Sequence, residues 1–144
     1  MTVRETVDTL RVVRDYLLTA TADLTPILGG DLPARIRAHR LQPRQIFPAV
    51  RVARVTSATQ VDGWFWADRL QIDCWSAAAT DDHTSWRLAS TCRRLLGDLP
   101  GYPHPEGHVT AVREATGIQP IPEPEADRTR HTFEVRVFTH PHIQ

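Results

Sequence analysis

Residues 64–99, WFWADRLQIDCWSAAATDDHTSWRLASTCRRLLGDL, constrain the fold more than any other stretch. Leu70, Ile72 and Cys74 alternate with Gln71, Asp73 and Trp75, the period of a strand with one buried face. A polar break at Thr80–Asp82 follows. Leu88, Ala89, Cys92, Leu95, Leu96 and Leu99 then recur at helical spacing. A long strand feeding an amphipathic helix predicts two packed layers.

At 144 residues the chain is read as one domain, 1–144, able to bury a core without disulfides. Cys74 and Cys92 both occupy apolar positions, so buried free thiols are expected. Neither a run of about 20 apolar residues nor a basic-then-apolar leader occurs, so membrane insertion and secretory export are not expected. Seventeen basic residues balance seventeen acidic ones, and every basic residue is arginine. That balance argues against a general nucleic-acid binder.

Thr2-Val3-Arg4-Glu5 fits a capping box, and Val3, Val7, Leu10, Val13 and Leu17 predict a first helix of about 16 residues. Thr21–Leu28 reads as a short helix containing Pro26 and ended by Gly29-Gly30. Ile36 and Ala38 suggest a short edge strand, and Pro48 opens a better one over Ala49–Thr56. Ser57–Gly63 is a polar loop whose Asp62-Gly63 turn returns the chain into the central strand as a hairpin. Asp81 or Thr80 caps the later helix. GDLPGYPHPEG, residues 97–107, must be a loop. His108–Ile118 and Thr132–Thr139 read as strands, the latter with Phe133, Val135 and Val137 inward and Glu134, Arg136 and Phe138 outward. Between them, residues 119–129 form an extended, acidic, proline-stiffened loop.

Candidate chemistry is thin. His104-Pro-Glu106-Gly-His108 and His140-Pro-His142 resemble metal motifs, yet Pro105 and Gly107 forbid the helical HExxH arrangement. Asp81, Asp82 and His83 could be drawn as an acid and base group, but capping accounts for the aspartates. There is no glycine-rich phosphate loop. No catalytic, cofactor-binding or metal residue is therefore assigned, no cofactor is expected, and the chain is not expected to be an enzyme. A small metal-dependent hydrolase would require the histidine segments to converge. A nucleic-acid-binding module would have to work through the arginines of residues 35–54.

The positive signals point to contact surfaces. Trp64, Phe65 and Trp66 cannot all face one core across a strand, and Phe138 points outward. These aromatics, with Arg35, Arg37, Arg51 and Arg54, are the candidate interface. Glu123, Glu125 and Asp127 supply a complementary acidic segment. Opposite patches on one chain allow copies to meet head to tail and close a ring.

The phrases Val13-Arg-Asp-Tyr-Leu17, Asp23-Leu-Thr with Gly29-Gly30, Pro48-Ala-Val-Arg-Val52, and Arg69-Leu-Gln-Ile-Asp-Cys-Trp75 come in a suggestive order. The Leu88–Leu96 helix, Gly117, Pro120, Pro122-Glu-Pro124 and Arg130-His-Thr-Phe-Glu-Val-Arg-Val137 complete it. In that order the chain resembles the tail terminator proteins of long-tailed siphophages, as found in actinobacterial phages and prophages. The Leu32–Arg44 segment and the Trp64-Phe-Trp66 cluster have no counterpart in the resemblance. It implies an α+β subunit, a twisted, mainly antiparallel or mixed sheet of 4–5 strands against two main helices, assembling as a homohexameric ring. Such a ring caps the tail tube, ends its polymerisation and presents the surface to which the head attaches. The implied partners are other copies of the chain, the major tail tube protein and the head-tail connector protein, with DNA passing through the lumen without specific binding. The acidic loop would then line the lumen or a ring face. The implied location is the head-tail junction of the virion, reached by assembly in the host cytoplasm. A head-tail connector or adaptor ring is the neighbouring alternative.

Overall fold

The computed structural model describes residues 7–56, 65–122 and 128–142, together with the backbone of 59–61. The Thr2–Glu5 capping box, Trp64, and the acidic residues Glu123, Glu125 and Asp127 lie outside the described residues. Helix α1 spans Thr9–Thr19, α2 Thr21–Leu28, α3 Leu32–Arg35 and α4 Asp82–Gly97. The strands are β1 Ile36–Ala38, β2 Ala49–Arg54, β3 Thr59–Val61, β4 Phe65–Trp75, β5 His108–Pro120 and β6 Arg130–His140. They form one mixed sheet in the order β1-β2-β4-β6-β5, with β3 also pairing β4. The fold is α+β.

The central strand and its helix form as their patterns predict. Leu70, Ile72 and Cys74 are fully buried, as are Leu88, Ala89, Cys92, Leu96 and Leu99. Asp81 caps α4 by accepting from the Thr84 backbone N–H at 3.1 Å. Gly29, with φ 88°, ends α2 in the left-handed conformation that glycine adopts without cost. Both cysteines are free and buried, and burial together with the neighbouring Cys92 thiol pushes the Cys74 thiol well above its ordinary range.

Three features differ from the pattern-based expectations. Helix α1 begins at Thr9, where the Asp8 side chain accepts from the Arg11 N–H at 3.3 Å, so Val7 packs in the core ahead of the helix rather than within it. The polar stretch after β2 is partly a strand: β2 pairs β4 through Arg54↔Leu70, and β3 resumes the same side at Thr59↔Ala67. Four residues, 55–58, separate these two pairings on one side and two, 68–69, on the other, so the register shifts within a stretch that a polarity count reads as loop. Third, the outward residues of β4 are not all exposed, since Asp73 and Trp75 are buried.

The helices share one core with the sheet. Leu10, Val13 and Leu17 of α1, Leu24 and Leu28 of α2, and the α4 stripe join Val50, Val52, Ile72, Phe133, Val135 and Val137 in a single cluster. Burying each large side chain contributes roughly 1.5–3 kcal/mol. The register sets Val50 beside Cys74, Val52 beside Ile72 and Ile72 beside Phe133, so all these side chains point to the helical layer. No described helix packs on the opposite face of β2, β4, β6 and β5. No helix among the described residues is long and apolar enough to cross a membrane.

Candidate functional site

The helix-free face follows directly from strand alternation. It carries Arg51 of β2; Phe65, Arg69, Gln71, Asp73 and Trp75 of β4; Arg130, Glu134, Arg136 and Phe138 of β6; and Arg113 and Thr116 of β5. Its middle is a ladder of charge pairs. Arg51 meets Asp73 at 2.6 Å, Gln71 donates to the second Asp73 oxygen at 2.8 Å, and Arg69 forks onto both oxygens of Glu134 at 3.3 Å. Glu134 also accepts from Thr116. These bonds hold long side chains in one geometry, which reduces the entropy a partner would otherwise have to remove.

At one end of this face β2 begins and β4 finishes, and Trp75 lies there between two guanidinium groups. The Arg51 and Arg130 carbons each sit 5.4 Å from its ring centroid. Phe47 meets Trp75 edge-on at 6.2 Å, and the Arg128 guanidinium stacks 3.7 Å above Phe47. Arg35 donates to the carbonyl of Pro48 at 3.2 Å, across a cis Phe47–Pro48 peptide bond. Three arginines thus lie against two aromatic rings, with Arg35 close by at the Pro48 carbonyl, and this packing helps bury Trp75 with no described helix above it.

At the far end Phe65 meets His140 edge-on at 5.7 Å, and Phe138 lies beside Ala67 with the Arg136 guanidinium 5.3 Å from its ring. Both phenylalanines are half-buried, as is Trp66, which points to the other face opposite Thr139. The sequence-derived interface residues are therefore divided. Arg35 and Arg51 belong to the arginine cluster, and Phe65 and Phe138 to the far aromatic end. Arg54 points to the helical side, where it contacts buried Asp68 at 3.0 Å. Arg37 reaches the carbonyl of Pro33. Phe47, Trp75, Arg128 and Arg130 are not singled out as interface residues by the sequence, and Arg128 lies just ahead of the start of β6 at Arg130. Trp86, 49% exposed on α4, was also missed.

The histidine segments do come near one another. His108 Nε2 and His142 Nδ1 are 2.9 Å apart, the His108 and His140 rings lie 4.8 Å apart, and His142 Nε2 bonds the His104 carbonyl. Local desolvation, then the neighbouring His142 and His140, hold His108 below the ordinary histidine range. His104 accepts from the Glu106 N–H through Nδ1, leaving Nε2 to donate to Asp15 at 2.8 Å. Among the described residues no group of three or more histidine, cysteine or acidic side chains is arranged to hold a metal ion.

A second polar group looks chemical at first sight. Ser85 Oγ lies 2.7 Å from His131 Nδ1 and 3.0 Å from the Thr129 hydroxyl, which in turn bonds Ser76 at 2.6 Å and the Asp81 carbonyl at 2.8 Å. Ser85 is fully buried, so no substrate reaches its oxygen. The bonds instead tie the first turn of α4 to the segments that end β4 and begin β6. Burial holds His131 below its ordinary range, opposed by Asp82.

No family model and no curated protein matches the sequence. Among solved structures, a chain of the virion of a native gene transfer agent (GTA) particle superposes with a TM-score of 0.69 at 13% identity, over 91% of this chain and 93% of that one. A second solved chain overlaps at a TM-score of 0.41 and 12% identity, over 91% and 96% of the two chains, too loosely to argue from. Over nearly its whole length the chain shares its fold with that chain of the GTA virion.

Proposed function

We propose that this chain is a structural subunit of a phage or phage-like particle, a tail terminator that closes into a ring on the end of the tail tube. The ring stops tube polymerisation and presents its opposite face to the head connector. One observation carries the reading: the fold likeness to a chain of the GTA virion, which covers 91% of this chain and 93% of that one. The surface is consistent with it. A sheet face without a helical cover, with a fixed ladder of charge pairs between two aromatic ends, suits self-association better than catalysis. Aromatic and arginine side chains are the groups that most often dominate binding energy at such contacts.

The test is absolute mass in solution over a concentration series, followed by negative-stain imaging with purified tail tubes. Six-fold rings, or density capping one tube end, are the expected result. A chain that stays monomeric and never attaches to tubes would remove the reading. Attachment to the portal side in place of the tube would assign it to a connector ring.

A further inference from the structure

We infer that the arginine cluster around Phe47 and Trp75 is the receiving site for the acidic segment of residues 121–127 from a second copy of the chain. The inference rests on the ring reading and names the contact that would close it. Arg35, Arg51, Arg128 and Arg130 converge at one end of the sheet, where Asp73 meets Arg51 and Arg130 while Arg35 bonds the Pro48 carbonyl and Arg128 stacks on Phe47. Asp73 is already occupied by Arg51 and Gln71. Meanwhile Arg35 Nε and Arg128 Nε are buried N–H donors with no acceptor among the described residues. Buried donors are normally satisfied, so acceptors from outside those residues are called for. A guanidinium fork held by stacking is shaped for a carboxylate.

The acidic segment has matching chemistry. Glu123, Glu125 and Asp127 are spaced by two in the sequence, the spacing at which side chains share one side of any extended strand. Pro120, Pro122 and Pro124 bias the residues before them toward extended backbone. Placement also fits a ring. Ile121 N–H bonds the Arg130 carbonyl at 3.0 Å, so the acidic connection leaves the sheet at the same end as the cluster. In a rotationally symmetric ring, patches that meet lie at the same height along the axis, so a segment leaving at the cluster's end of the sheet is the one suited to reach it.

The experiment uses a fluorescein-labelled peptide of residues 119–127 and the full chain. In the chain, Glu123→Gln, Glu125→Gln and Asp127→Asn together vacate the site. The expected result is saturable binding of the peptide to this variant, weakened about tenfold or more by Arg35→Gln with Arg128→Gln and strongly by added salt. A peptide of the same composition in scrambled order should bind less well. The mass of the native chain, read in parallel, separates this inference from the ring itself. Rings that form equally well in the native chain and the neutralised variant, with no peptide binding, overturn the inference and leave the ring standing. Equal binding of the scrambled peptide also overturns it, as a general anion site. A monomeric native chain that excludes the peptide while the neutralised variant binds it overturns it in favour of the segment folding onto its own cluster. A monomeric native chain that binds the peptide supports the contact while removing the ring. Circular dichroism of the arginine variant, matching the native chain, shows that any loss is not unfolding.

Discussion

Arg54 closes on Asp68 at 3.0 Å within the helical side of the sheet, and the other Asp68 oxygen accepts the hydroxyl of Thr9 at the start of α1. Asp68 is fully buried and the Arg54 side chain only 34% exposed, so this carboxylate exists as a structural pin between β2, β4 and α1. Replacing Asp68 with alanine leaves the buried Thr9 hydroxyl without its acceptor and removes the partner of Arg54, whose charge solvent still reaches, at a cost of about 1–3 kcal/mol. Asp68→Ala is therefore expected to lower the urea midpoint sharply, with little change in slope. Thr9→Val, which removes only a hydroxyl, should cost about 1–2 kcal/mol. Equal stability of Asp68→Ala and the native chain would show that the pin is not formed in solution.

Gly107 is a second structural pin of a different kind. A Cβ built there would lie 2.6 Å from the backbone oxygen of His140 and 2.6 Å from a methyl of Val7. The oxygen belongs to the end of β6 and cannot rotate away, so the strands must move apart. Overpacking of this sort costs roughly 1–3 kcal/mol. Gly107→Ala should lower the melting temperature, whereas Gly97→Ala, where nothing lies within 4 Å, should leave it unchanged or slightly raised. Thermal melts of the two variants, side by side, decide whether the loop before β5 packs as closely as the geometry states.

The contrast between Arg54 and Arg51 shows how far sequence could reach. Both stand out in the same basic run, yet three positions apart on a strand they face opposite layers, Arg54 inward to Asp68 and Arg51 outward to Asp73. Strand parity alone separates them. The β4 alternation and the α4 stripe were equally legible, because local periodicity reports burial of one face. Burial of Asp73 and Trp75 was not, since their cover comes from Phe47, Arg51 and Arg130, which only the register of three strands brings together. Helix α3 is four residues long, too short for any period to show. The arginine cluster combines residues from before β1 to the start of β6, so composition could find Arg35 and Arg51 but not their partners.

The thiols give a prediction that reads the core directly. Cys74 on β4 and Cys92 on α4 are fully buried, and burial keeps the Cys74 thiol protonated far above neutral pH. Reaction with a disulfide reagent needs an exposed thiolate. In the native chain at pH 8 fewer than about a tenth of the thiols should react within minutes, and both should react in denaturant. The slow native rate should follow the global unfolding rate and rise in Asp68→Ala. Fast labelling of either cysteine in the native chain would contradict the packing of α4 on the sheet.

His131 makes stability depend on pH in a definite direction. Its imidazole is bonded to Ser85 in a buried network, and burial holds its pKa below the unfolded value near 6.5. The unfolded chain therefore takes up this proton at a higher pH than the folded chain does. Above pH of about 7 neither form is protonated and the full stability is present; as pH falls below the unfolded value and on through the folded one, stability is lost. His108, also held low, contributes in the same direction, although its exposure makes the effect smaller. Melting temperatures measured from about pH 8 to pH 5 should fall with acidification, and His131→Asn should flatten that dependence while lowering the plateau at pH 8. Flattening by His108→Asn instead, with His131→Asn unchanged in slope, would transfer the proton uptake to the histidines at the ends of β5 and β6.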